Sequence, residues 1–182
     1  GVNEAGLADT VLSSVRARAP WLLVNLGTAI LASGVIALFE GALERIVALA
    51  VLMPIVASMG GNAGTQSLAV AVRAIAERDL TAANSMRVVW RELATGTING
   101  VIFAVLISTV TLLWFRDGQI AAVDGIAMIV NLSMAGLSGI LLPLGLVRAG
   151  ADPAVASSVF VTTVTDVVGF FAFLLLAAAI LL

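Results

Sequence analysis

The sequence contains no cysteine and no histidine, and all nine of its basic residues are arginine. Those absences remove whole chemistries. Thiolate catalysis, zinc sites built on sulfur or imidazole, haem axial histidines and imidazole proton relays are all excluded within this chain. Any metal must be held by oxygen, from carboxylate, amide, hydroxyl, backbone carbonyl or water, and that donor set suits hard cations. Charge is also scarce: 11% of residues are charged against 61% hydrophobic, which is not the balance of a soluble domain. A formal net charge of -2 offers no cue for a nucleic-acid partner.

What charge there is lies between long empty stretches. No ionisable side chain occurs in 19–39, 46–72, 93–115 or 125–147, and 153–182 contains only Asp166. Each stretch reaches the ~17–25 residues that cross a hydrocarbon core as a helix. The chain therefore reads as an all-α integral membrane protein with five spans, at about 20–39, 44–75, 88–115, 125–147 and 153–182. The lipid bilayer is its first partner. With the N-terminus cytoplasmic, Arg16, Arg18, Arg73, Arg78, Arg87, Arg91 and Arg148 fall inside, and only Arg45 and Arg116 fall outside. That distribution obeys the positive-inside rule and places the C-terminus outside. Trp21, Trp90 and Trp114 fall near span ends, where an amphipathic ring suits the interface.

Residues 1–19 are mixed. Leu7, Val11, Leu12 and Val15 recur at roughly helical spacing with Asp9 placed to cap, so a short cytoplasmic helix and a linker to a further soluble part both fit. The abrupt start at Gly1 suggests a piece of a longer protein. The longest polar connection, AERDLTAANSMR, joins spans two and three, and the outer link RDGQIAAVD is short. Gly96 and Gly100, like Ala135 and Gly139, have the small-xxx-small spacing that brings helices close, and read first as packing. Pro54 and Pro143 predict kinks.

Two polar features lie at membrane depth. Asp166 is the one ionisable residue expected deep within a span, ~20 Å along a helix that begins at Pro153. Such residues face a cavity or a partner. No arginine is expected at its depth. Thr162 and Ser158 lie one and two turns before it on the same face, with Thr163, Thr165 and Gly169 close by. Back-bonding of hydroxyls to helix carbonyls would explain the stripe but not the carboxylate; a water-lined ion path would explain both. The second feature is SMGGNAGTQS, 58–67, inside span two. Glycine is a poor helix former, and Asn62 and Gln66 are costly to bury in lipid. The segment reads either as a break that lines a path or as a re-entrant turn. No nucleophile–base pair and no second deep carboxylate is expected, so the chain does not read as an enzyme.

At these residues the sequence resembles the transmembrane domain of MgtE-type magnesium channels. PIVASMGGNAGTQS (54–67) and ADPAVASSVFVTTVTDVVGF (151–170) carry the resemblance, supported by RELATGTING (91–100) and NLSMAGLSGILLP (131–143). It implies a homodimer in a bacterial inner membrane, with the pore on the two-fold axis and lined by spans two and five. It also implies regulation by cytoplasmic Mg²⁺-sensing domains that this sequence lacks, residues 1–19 being the end of the helix connecting to them. Asp166 would be the selectivity-site carboxylate, Thr162 would present a backbone carbonyl to the ion, and Asn62, Gly64 and Gln66 would shape the pore. The implied cargo is Mg²⁺, with other divalent cations open. A secondary carrier exchanging a proton for metal at Asp166 is the alternative to a channel, and a non-conducting membrane anchor is the third reading.

Overall fold

A computed structural model of the chain describes residues 10–80, 84–150 and 153–182, without the side chains of 153–156. The described residues form six helices: α1 (Val11–Ala37), α2 (Glu40–Arg45), α3 (Val47–Ala76), α4 (Ser85–Phe115), α5 (Gly118–Arg148) and α6 (Pro153–Leu181). All but the six-residue α2 are long and apolar enough to cross a membrane. The expected five spans are present, with shifted ends. Leu7, Asp9 and the rest of 1–9 lie outside the described residues, as do 81–83 of the polar connection. The cap at the first helix is Thr10, whose hydroxyl accepts from the Ser13 amide at 3.3 Å. Residues 11–19 then run into span one without interruption.

Two corrections follow from helix ends. The α4–α5 link is only Arg116 and Asp117, not nine residues. Arg116 takes the left-handed conformation (φ 54°) that closes α4. Asp117 then caps α5, accepting from the amides of Gln119 at 2.8 Å and Ile120 at 3.2 Å. Asp124, placed by charge counting outside the membrane segment, is consequently in the second turn of α5.

The second correction concerns 58–67. There is neither a break nor a re-entrant turn, because α3 is continuous helix from Val47 to Ala76. Its glycines serve close approach instead. A β-carbon on Gly64 would sit 2.5 Å from a Val161 methyl of α6, and one on Gly60 would collide with the Asn131 amide of α5. In lipid no water competes for the backbone of a glycine-containing helix, so helical hydrogen bonds persist where packing rewards them.

Helix α5 is the centre of the fold, packed on α3, α4 and α6, while α1 rests mainly on α6. The α4–α5 seam is built from small residues. A β-carbon on Gly96 would lie 2.5 Å from the Leu132 carbonyl oxygen, and one on Gly136 would lie 2.5 Å from that of Glu92. An apolar cluster of Leu49, Leu52, Val56, Val123, Phe173 and Leu174 joins α3, α5 and α6. Phe39 and Phe171 meet edge to face at 5.9 Å and tie the end of span one to α6. Outward, α1 and α4 expose Leu22, Leu23, Ile30, Leu106 and Leu113, as lipid-facing helices do.

Gly96→Ala therefore forces backbone apart and should cost about 1–3 kcal/mol. Gly27→Ala meets nothing within 4 Å and should cost nothing. Unfolding in mixed micelles, followed by circular dichroism, separates the two; equal stabilities would contradict the seam.

Candidate ion-conducting surface

Polar side chains on membrane helices have two destinations here, the protein interior and an unpartnered surface. On α3 the exposed positions include Ser58, Asn62, Thr65 and Ala69, spaced at i, i+4, i+7 and i+11. They form one polar face opposite the buried stripe of Val56, Gly60, Gly64 and Leu68. Gln66 is exposed at the edge of this face, toward α4.

On α6, Ser158 is exposed and Thr162, Thr163 and Asp166 are half-buried. The threonine hydroxyls bond back to their own helix: Thr162 to the Ser158 and Val159 carbonyls at 3.0 Å each, Thr163 to Val159 at 2.6 Å. Back-bonding thus accounts for those donors, leaving their oxygen lone pairs outward. Asp166 makes no hydrogen bond or ion pair with the described residues. Ser158 and Thr162 also line a cleft of about 500 Å³ between α1 and α6, together with Arg18, Trp21 and Asn25.

Three of the expected site residues are elsewhere. Thr165 is fully buried, bonded to Val161 at 3.1 Å and packed on the Gly64 side of α3. Gly64 is buried with it. Gly169 is buried against Asn131, 2.7 Å from the amide nitrogen if it carried a β-carbon. These three bring α3, α5 and α6 together behind the exposed face rather than opening onto it.

The structure also adds residues that charge counting missed. Asn131 is fully buried where α3, α5 and α6 meet, between Gly60 and Gly169. Its Nδ2 donates to the Val56 carbonyl at 2.8 Å, while its Oδ1 is buried without a partner. A gap sized for one amide between two glycines positions the helix that carries Asp166, three residues before Gly169. Asp124 is likewise fully buried and accepts from the Thr111 hydroxyl at 2.6 Å. Glu92 is 7% exposed. Asp166 is therefore not the only acidic residue within a span. The signal for Glu92 was its place at i−4 and i−8 from the seam glycines Gly96 and Gly100, a carboxylate in a row of small residues.

Residues 53–176 match the family model MgtE, described as a divalent cation transporter. The chain belongs to the MgtE family. Over 162 residues it is 33% identical to the magnesium transporter MgtE of Bacillus subtilis, covering 89% of this chain and 36% of that protein. The Enterococcus faecalis magnesium transporter MgtE is 34% identical over 166 residues, 91% of this chain and 37% of the relative. The Thermus thermophilus protein of the same name is 33% identical over 179 residues, 98% of this chain and 39% of the relative. The chain thus spans a little over a third of the length of the curated relatives it matches. The MgtE family is one of transporters, and the chain is a multi-pass membrane protein, not an enzyme.

The buried Thr111–Asp124 pair should behave as a unit. Thr111→Val alone leaves a carboxylate without its donor and should cost about 1–3 kcal/mol. Adding Asp124→Leu should restore part of that loss, with a coupling of about 0.5–3 kcal/mol in a double-mutant cycle of unfolding. Strictly additive losses would show that the pair is not coupled.

Proposed function

We propose that this chain is the Mg²⁺-conducting membrane domain of an MgtE-type transporter, acting as a homodimer in a bacterial inner membrane. The N-terminus is cytoplasmic and the C-terminus external, with residues 11–19 continuing from a connecting helix. Asp166 is the observation that carries this reading: a carboxylate within a span, half-exposed, and bonded to none of the described residues. An isolated carboxylate facing lipid costs roughly 2.5–3.5 kcal/mol or more, so the exposed face that holds it must meet water or another subunit. The polar face of α3, with Ser58, Asn62 and Thr65, makes the same demand.

A two-fold axis beside α3 and α6 meets both demands. Two Asp166 side chains then face each other, and their repulsion in a low-dielectric setting is relieved by a divalent cation between them. Mg²⁺ gives up its waters reluctantly, so it would pass as a hydrated ion whose waters reach Asp166 oxygens and the outward lone pairs or carbonyls near Thr162. Asn62 lines the same path. Thr163, Ser158 and Gln66 border it, whereas Gly64, Thr165 and Gly169 set its shape from behind.

Asp166→Asn keeps the size and one acceptor oxygen while removing a charge from each subunit. Mg²⁺ binding should weaken at least about tenfold, for loss of a charge-assisted contact of roughly 1.5–3 kcal/mol, with dimer assembly unchanged. Calorimetry on the purified dimer reads this directly, and unchanged affinity would remove Asp166 from the path.

Conduction on this reading is passive rather than coupled to proton exchange at Asp166, and flux measurements separate the two. Flux into liposomes should follow the Mg²⁺ gradient and membrane potential and ignore an imposed pH gradient. Uphill Mg²⁺ movement driven by a pH gradient would establish a carrier instead.

A further inference from the structure

Glu92 occupies an unusual place. A β-carbon on Gly136 would lie 2.5 Å from its carbonyl oxygen, and one on Gly64 would lie 3.7 Å from the Ala135 oxygen and 3.5 Å from a Thr165 methyl. Glu92 therefore packs on Gly136 of α5, while Gly64 of α3 lies against both Ala135, the neighbour of Gly136, and Thr165 of α6. This puts Glu92 within about one 5.4 Å turn of the depth of Asp166. It is 7% exposed, and its sole partner among the described residues is Arg91, at 3.3 Å through one nitrogen. Arg91 is 63% exposed. The contact uses a single guanidinium nitrogen and one carboxylate oxygen, leaving the other oxygen without a partner among the described residues.

Glu92 lines a cavity of about 220 Å³ between α3, α4 and α5. Its polar lining is Gln66, Ser67, Thr95 and Asn99 with Glu92 itself. These supply carboxylate, amide and hydroxyl oxygens, a hard-cation donor set without nitrogen or sulfur ligands. At roughly 30 Å³ per water the space holds about seven waters, room for Mg²⁺ with most of its hydration shell. Gln66 stands at the rim, beside the exposed polar face of α3, so an ion could enter from that side.

We propose that this cavity is a second divalent-cation site, one per subunit, with Glu92 as its charged ligand and Asn99 and Gln66 as neutral oxygen ligands to the ion or its waters. It is separate from Asp166, which lies on α6 beyond α3 and α5. The site would hold a cation at membrane depth beside the conduction surface and stabilise the α3–α4–α5 arrangement when occupied. The proposal goes beyond the pore reading and does not need it.

The test uses the purified chain with Mn²⁺ as the probe, its free six-line electron paramagnetic resonance signal reporting bound ion, and Mg²⁺ as competitor. In the Asp166→Asn variant one Mn²⁺ per subunit should remain bound and be displaced by Mg²⁺. Adding Glu92→Gln should abolish that binding with circular dichroism and elution volume unchanged. Because Glu92 sits in a packed seam, a second variant, Asp166→Asn with Gln66→Leu and Asn99→Leu, alters only the exposed rim and should also weaken binding markedly. Residual binding that survives both Glu92→Gln and the rim variant, or no residual binding in Asp166→Asn, would overturn the proposal. If Asp166→Asn proves to bind as much Mn²⁺ as the parent while Glu92→Gln removes one ion per subunit, the pore reading fails and the Glu92 site stands.

Discussion

Lipid offers no hydrogen bonds, and that single constraint sorts every polar side chain in this chain. Those that find a partner inside are buried, each with one oxygen still unpaired among the described residues: Asp124 with Thr111 at 2.6 Å, and Asn131 on the Val56 carbonyl at 2.8 Å. Threonines on the helix faces turn their hydroxyl protons back to their own backbone. What remains is Asp166 on α6, Glu92 with its exposed neighbour Arg91 on α4, and the amide and hydroxyl face of α3. In a soluble protein the exposed ones would be ordinary surface. Within membrane spans they define where water must go.

Close packing by small residues makes that sorting possible. With Gly96, Gly100 and Gly136 on the α4–α5 seam and Gly60, Gly64 and Gly169 around α3 and α6, α5 is surrounded on three sides. Helices that approach this closely leave no groove for lipid between them, so polar groups such as Asn131 are sealed from hydrocarbon. The same glycines fix the rotation of α3 and α6, which decides that Asn62 and Asp166 point outward while Gly64 and Thr165 point in. Position along the sequence alone did not decide this: Thr165 and Asp166 are neighbours with opposite environments.

Much of the fold was legible because hydrophobic length is a strong signal. Five charge-free stretches became five long helices, and their order needed no knowledge of contacts. The misreadings share a cause. Helix propensities measured in water made GGNAGTQ look like a break, whereas in lipid the backbone has no better partner than its own helix, and α3 runs straight through it. Counting charges to find span ends pushed Asp124 into a loop and left Glu92 at a boundary, although both are buried. A buried acid near the end of a span cannot be told from an interfacial one without knowing what covers it. Asp117 as a cap, with its bonds to Gln119 and Ile120, was the local cue that α5 begins earlier. Asn131 was legible only as part of a family segment, because its role rests on two glycines from other helices.

If the proposed path exists, the exposed polar face of α3 borders water at membrane depth while the Leu113 end of α4 faces lipid. The absence of cysteine makes this directly measurable by single-cysteine accessibility. Asn62→Cys and Leu113→Cys, each in otherwise unchanged protein in native membranes, would be exposed to a charged, membrane-impermeant thiol reagent. Rapid modification is expected at Asn62→Cys, slowed by Mg²⁺, and none at Leu113→Cys. Equal inertness at the two positions would mean that the α3 face is covered by lipid or protein, and would contradict a conducting path along it.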